Sequence, residues 1–262
     1  MPAVRDRALL LRRFPYGESS LVCHALSRTH GRVHFLAKGA YRPTSRFYAA
    51  LDLFDTLELE WNATPGRELA VLALGSIETR RARIPRDLEA FRAGTTLLEL
   101  AAFGAHEGHA NPELFELLET GLDALAGGTA PAAALVEFEL GFLHNLGLAP
   151  ALAACASCGG AAPPLEPGPA ARVAFSAGSG GRLCSACAIA ARAAGRRVGT
   201  LPAPVLERAQ AILERRVAAH ELDSDELERV RDFVARFLEV HLESRPASYR
   251  RFLSAPNRNA TR

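Results

Sequence analysis

Near residue 80 the hydrophobic pattern of this chain changes period, from two to about 3.6 residues. That change constrains the fold more than any other feature, because a period-two pattern suits strands and a 3.6 pattern suits helices. Before it, candidate strands run over 4–13, 20–28, 32–39, 51–61 and 68–79. The clearest is "LDLFDTLELEW", whose alternate residues Leu51, Leu53, Asp55, Leu57, Leu59 and Trp61 make one mostly apolar face. The segments "YGESS", "THG", "YRPTS" and "NATPGR" mark the turns between them. Five short strands in about eighty residues fit a small closed barrel, either an OB-fold or an SH3-like barrel.

After "ETRRARIPRDL" the chain reads as amphipathic helices. Pro85 suits the first turn of a helix reaching about 104. Asn111 is the expected N-cap of the next, with Pro112 at its first position and Gly127 and Gly128 closing it. Further helices are expected over 131–146, 203–219 and 224–243. The spacing therefore predicts a multidomain α+β protein. A β-barrel over 1–80 precedes a mostly helical domain over 81–262, which carries an inserted module at about 149–190.

That insert is rich in alanine, glycine and proline, and a long loop of this kind needs a special explanation. Four of the five cysteines supply one, as "CASC" (Cys155, Cys158) and "CSAC" (Cys184, Cys187). A CxxC pair brings two thiolates to one tetrahedral Zn²⁺, and a second pair completes a closed structural site. Redox pairs or disulfides fit a glycine-rich loop between two CxxC motifs less well, and disulfides also fit a reducing cytoplasm poorly. Cys23, within "SLVCHALS", reads as a buried strand thiol.

The enzyme readings are weak. "HEGH" at 106–109 places its histidines three apart and is no HExxH, so both read as surface residues near a helix end. His30 and His34 read as a loop and a strand histidine, and Glu58 with Glu60 as a solvated strand face. No phosphate loop, GxSxG or nucleophile with its base stands out. Nor does any apolar run of eighteen residues, or a signal-peptide pattern near the start, so the expected location is the cytoplasm.

A formal net charge of +2 hides a segregation. Residues 1–46 hold nine Lys/Arg against Asp6 and Glu18. From Arg245 onward there are five arginines and no acid, so residues 47–244 carry a balance of −10. A basic end on an acidic body points to a localised polyanion site. The focus is "HFLAKGAYRPTSRF", where Lys38 (the only lysine), Arg42 and Arg46 alternate with Tyr41 and Phe47 and no acid intervenes. On strand 32–39, Val33, Phe35 and Ala37 suit the barrel interior, while Arg32, His34, Leu36 and Lys38 face out. Outward cations suit phosphates, and Tyr41 and Tyr48 suit stacking on unpaired bases. Phe47 belongs in the core.

The same stretch resembles the N-terminal signature of the RecO family of bacterial recombination mediators. Gly17 and Glu18 precede a strand; Gly31 and Arg32 form a turn; Ala37, Lys38, Gly39 and Arg42 are followed by Ser45, Arg46, Phe47, Leu51 and Phe54. The sequence departs at Tyr41, where many members carry a basic residue. The resemblance continues through the helices to the cysteine module, and some members lack these cysteines. It implies an OB-fold followed by helices. It implies binding of single- and double-stranded DNA, annealing of complementary strands, and cooperation with RecR to load RecA onto DNA coated by single-stranded-DNA-binding protein. That protein's acidic C-terminal tail is a further implied partner. So is association with the nucleoid during repair; catalysis is not implied. The expected DNA-binding residues are Arg32, Lys38, Tyr41, Arg42, Arg46 and Tyr48. Two rival classes remain, a zinc-ribbon barrel binding RNA in transcription or translation, and a protein adaptor that binds no nucleic acid.

Overall fold

A computed structural model describes residues 3–42, 44–45, 47, 50–62, 69–161 and 171–242. The chain forms two compact units, residues 1–129 and 130–262. Five strands open the first: β1 (Val4–Tyr16), β2 (Ser20–Ser27), β3 (Gly31–Ala37), β4 (Thr56–Asn62) and β5 (Ala70–Thr79). They close into a barrel in the order β1-β2-β3-β5-β4. Every pairing is antiparallel except that of β3 with β5. This is the OB-fold arrangement, and it decides between the two barrels that the pattern allowed. Ala8, Leu10, Cys23, Phe35, Leu57 and Leu59 fill the interior with no exposed surface. Burial pushes the Cys23 thiol up to about 11, as a structural thiol requires.

The alternation in "LDLFDTLELEW" overreaches. Strand β4 begins only at Thr56, because Phe54 adopts a left-handed backbone, φ 76°. Arg81 holds that bend, donating from Nη1 to the Phe54 carbonyl at 2.8 Å and from its backbone N–H to Asp55 Oδ1 at 2.7 Å. Strand β1 instead runs three residues further than expected. Its register against β2 shifts between Leu10 and Arg12. Such a bulge reverses which side chains face inward beyond it. Ala8 and Leu10 point into the barrel, yet Arg12, Phe14 and Tyr16 are exposed.

Helices α1 (Leu88–Gly104) and α2 (Pro112–Gly127) pack on each other and complete this unit. Pro85 lies in a short 3₁₀ turn, Ile84–Arg86, and not in the helix itself. Asp87 is the cap of α1, accepting from the N–H groups of Glu89 and Ala90. Asn111 caps α2 as expected, accepting from Leu114 N–H.

The second unit holds α3 (Pro131–Asn145), β6 (Arg172–Ser176), β7 (Gly181–Arg182), α4 (Ser185–Ala193), β8 (Gly199–Pro202), α5 (Ala203–Leu213) and α6 (Ser224–His241). The three short strands form one sheet, β7-β6-β8. Helix α5 stops at Leu213, six residues short of the expected end, where Arg215 takes a left-handed φ of 55°. The α6 cap is Asp223, which accepts from Glu226 N–H. Among the described residues no helix is long and apolar enough to cross a membrane.

Candidate nucleic-acid interface and metal centre

The β1 bulge builds a surface on the barrel. The register aligns Arg12 with His24 and His24 with His34; one step along, it aligns Phe14 with Val22 and Val22 with Leu36. A further step pairs Tyr16 with Ser20 and ends at Lys38, exposed just past β3. These outward positions form a grid across three strands, as period-two geometry requires. Phe14 is 43% and Tyr16 58% exposed. Phe14 meets His24 edge-on at 5.4 Å, and His24 stacks on His34 at 4.0 Å. Partial burial, then the neighbouring His34, Arg32 and Arg12, lower the His24 pKa below its usual value, against a small opposite effect of Glu107. These effects favour the neutral ring of His24, a flat face suited to stacking.

Beside this grid the chain turns at Gly39, φ 67°, and Arg42 N–H closes the turn on the Gly39 carbonyl at 3.0 Å. The Arg42 side chain folds back over Gly39, so that a Cβ there would lie 3.3 Å from Arg42 Cδ. Tyr41 N–H donates to the Ser19 carbonyl at 2.9 Å, tying this loop to the β1–β2 turn. In OB-folds that turn and the β2–β3 face are the usual oligonucleotide surface.

The expected residues divide. Lys38, Tyr41 and Arg42 are exposed together on this loop. Phe47 is buried in the barrel core, as the sequence suggested. Arg46 and Tyr48 lie outside the described residues. Arg32 is half-buried, and its Nη2 sits 4.0 Å from Glu107, whose carboxylate also lies 3.6 Å from His34 Nδ1. Glu107 belongs to "HEGH", which forms a tight turn bridging to Gly31 and Arg32. His106 and His109 are both exposed. A Cβ on Gly31 would collide with the carbonyl oxygens of His106 and His109, so this contact needs glycine there.

Most other cations of the basic end are engaged. Arg5 pairs with Glu58 at 2.6 Å, Arg13 with Asp52 at 3.0 Å and Arg28 with Glu116 at 2.7 Å. Arg7 reaches Glu78 at 2.7 Å and Glu119 at 2.8 Å. Among the described residues Arg12, Lys38 and Arg42 have no carboxylate partner, and they flank the aromatic grid. Sequence reasoning missed Arg12, Phe14 and Tyr16. Their spacing of two was visible, but the bulge that turns them outward was not.

The four cysteines meet in the second unit. Their Sγ atoms all lie within 4.8 Å of one another. Cys155 opens a tight turn, with Gly159 N–H bonded to its carbonyl at 2.8 Å; Cys184 is the N-cap of α4 and Cys187 lies in that helix's first turn. Cys184 N–H donates to Cys155 Sγ at 3.4 Å. That bond leads the set of donors that hold Cys155 down to about 6, while the neighbouring Cys184 thiol pushes Cys187 up to about 12. Crowded sulfurs resist ionising together, and a coordinated cation removes that resistance. Among the described residues, Leu183 and Ala188 are buried beside Cys155, with Ala156, Ala174, Ala191 and Val198 partly buried around them, a small apolar cluster under the sulfurs. Donor set, spacing and small core all fit a bound metal ion.

Residues 1–79 match the family described as Recombination protein O N terminal, and residues 85–250 the family described as Recombination protein O C terminal. The chain is 39% identical over 250 residues to the DNA repair protein RecO of Anaeromyxobacter sp. (strain Fw109-5), covering 94% of this chain and 93% of the relative. To the DNA repair protein RecO of Anaeromyxobacter sp. (strain K) it is 37% identical over 254 residues, covering 97% and 96%. A more distant similarity, 34% over 180 residues, links it to the DNA repair protein RecO of Exiguobacterium sibiricum, covering 69% of this chain and 68% of the relative.

Proposed function

Because the chain belongs to the RecO family, we propose that it is a recombination mediator without covalent chemistry. It binds single- and double-stranded DNA, anneals complementary strands and, with RecR, helps load RecA onto DNA coated by single-stranded-DNA-binding protein. The observation that carries the reading is the conjunction of Arg12, Lys38 and Arg42, unpaired among the described residues, with the exposed rings of Phe14, Tyr16 and Tyr41. Cations that contact phosphates release condensed counterions, and each stacked base adds about 1–3 kcal/mol. Pairing between the strands supplies the favourable free energy of annealing, so the protein needs only to neutralise and align them. A fluorescence-quench annealing assay tests this, run with and without ATP beside a gel for strand breaks. Annealing is expected without ATP, slowing as salt rises. Cleavage products, a requirement for ATP hydrolysis, or a clear preference for RNA would refute the assignment.

Glu107 lies against this face and competes with phosphate for Arg32 and His34. Glu107→Gln is accordingly expected to strengthen single-stranded DNA binding about two- to fivefold at low salt, the range of one exposed ion pair. Titration by fluorescence anisotropy measures it; unchanged or weaker binding would place the DNA path away from β3.

We assign zinc to the four-cysteine site, since a closed thiolate set of this spacing suits it best. The metal would cross-link the turn at Cys155 to the start of α4. Elemental analysis should count one zinc per chain. Cys184→Ser is expected to lose the metal and unfold the module, while Cys23→Ser in the barrel should retain the metal in full. Folded, metal-free protein with four freely titrating thiols would reject zinc.

An apolar groove of about 310 Å³ in the second unit supports the acidic-tail partner. Phe175, Leu201, Phe233 and Phe237 line it, with Arg229 on its rim and Arg236 paired to Asp232 at 2.9 Å. A short peptide with acidic residues ahead of an apolar end matches that lining.

A further inference from the structure

We infer that the metal module carries a second polyanion surface, which holds the second strand during annealing. The inference rests on the annealing reading above and adds a site to it. Its starting point is a charge island inside the acidic body of the chain. Between Glu139 and Glu207 the sequence contains one acidic residue, Glu166, and five arginines, at 172, 182, 192, 196 and 197.

Two of these arginines are structural. Arg172 donates to the Thr200 hydroxyl at 2.9 Å and to its carbonyl at 2.8 Å. Arg182 is buried, donating to the Leu152 carbonyl at 2.9 Å. Arg192, Arg196 and Arg197 are exposed and have no carboxylate partner among the described residues.

The local backbone gathers these three. Helix α4 ends at Ala193, and Gly195, φ 73°, reverses the chain. Arg196 N–H then bonds back to the Ala191 carbonyl at 2.9 Å, so Arg196 sits one turn from Arg192. The terminal carbonyls of α4 are taken by backbone N–H groups: Ala190 by Ala194, Arg192 by Gly195. The guanidinium groups therefore are not consumed as helix caps, although the negative end of the helix favours them there.

The position is fixed from both sides. Cys184 and Cys187 hold the opening of α4 to the metal centre, and Val198, just past Arg197, packs on the small core under the sulfurs. Strand β8 then pairs with β6. Three exposed arginines on one fixed turn match the repeating charge of a sugar–phosphate backbone, to which arginine can donate bidentately. The only large apolar side chain exposed on α4 is Ile189. A lone exposed isoleucine offers little apolar surface to anchor a peptide, and that favours nucleic acid over an acidic protein segment.

Annealing needs two strands held at once. A protein with a single cationic surface must pass one strand to another already bound there, whereas two surfaces, one on each unit, let both strands be neutralised before they pair. The test is the Arg192→Ala/Arg196→Ala/Arg197→Ala variant of the full chain. It should keep its zinc and bind a first labelled single-stranded oligonucleotide within about twofold of wild type. Occupancy by a second, non-complementary labelled oligonucleotide should fall about tenfold or more, with the annealing rate falling alongside. The salt dependence of second-strand binding should flatten by about two log–log units, near 0.7 for each lost single-strand contact. The triple Arg→Lys variant should restore the salt dependence, because the charge is kept, and only part of the affinity, because the bidentate contacts are lost. Unchanged second-strand occupancy and annealing would overturn the inference. So would equal loss of first-strand binding, which would make the arginines part of one shared site. Loss confined to a poly-glutamate probe would assign the surface to a protein partner and overturn it too. Failure of the wild-type protein to bind any DNA would be a different result, refuting the proposed function itself.

Discussion

The Arg12→Ala/Lys38→Ala/Arg42→Ala protein is expected to bind single-stranded DNA at least about tenfold more weakly than wild type at moderate salt. The slope of log affinity against log salt should flatten by about two units, since each single-strand phosphate contact contributes about 0.7. The loss should not depend on base sequence, because phosphate contacts carry no sequence information. The melting temperature should stay unchanged, because all three side chains are exposed and lack ion-pair partners among the described residues. A companion variant separates charge from stacking. Phe14→Ala/Tyr16→Ala should reduce affinity while leaving the salt slope in place. Wild-type affinity and slope in the cation variant would remove the barrel face as the DNA site and direct attention to the arginines beyond residue 245.

The largest stability effect is expected at Arg81, a position without a role in binding. Its side chain is 1% exposed. Nε donates to Asp123 at 2.7 Å, and Nη1 donates to the Phe54 carbonyl at 2.8 Å and the Thr56 hydroxyl at 3.0 Å. Glu119, 3.9 Å from Nη2, also accepts from Arg7 and Thr56. One guanidinium thus fixes the left-handed turn before β4 and links the barrel to α2. Arg81→Ala strands two buried acceptors, the Phe54 carbonyl and the Thr56 hydroxyl, and takes a cation from Asp123 and Glu119, at about 2–4 kcal/mol. That corresponds to a fall of roughly 10 °C in the melting of the first unit. Trp61, the only tryptophan, is buried in the barrel and reports that transition by its fluorescence. A shift under about 3 °C would show that water replaces the guanidinium, and that the Phe54 turn is held by packing against α1. The Gly94→Ala variant probes that packing, because a Cβ there would lie 2.9 Å from the Phe54 ring.

The strand-then-helix order was legible because hydrophobic period is a local property. Cys23 in the core, the Asn111 cap and the two CxxC pairs were legible for the same reason: each is carried by a few neighbouring residues. The boundaries that slipped depended on distant groups. Leu51 and Leu53 alternate as a strand should, but Arg81, some thirty residues on, holds a bend at Phe54 that ends the pattern's authority. Pro85 is a good first residue for a helix, yet the Asp87 carboxylate captures the N–H groups that define where α1 starts.

The sequence by itself determined that a barrel precedes helices, that four thiols converge, and that Lys38, Tyr41 and Arg42 share one loop. Only the tertiary structure decided which charges are available. Charge counts assign no partner to any cation of the basic end, but Arg5 finds Glu58 fifty-three residues away and Arg7 finds Glu119 one hundred and twelve away. Ion pairing is set by folded distance and leaves no trace in local charge counts. The tertiary structure also turned Phe14 and Tyr16 outward. Side-chain direction in a strand is a parity, and a single bulged residue in β1, opposite a partner strand that has none, reverses it for every residue that follows.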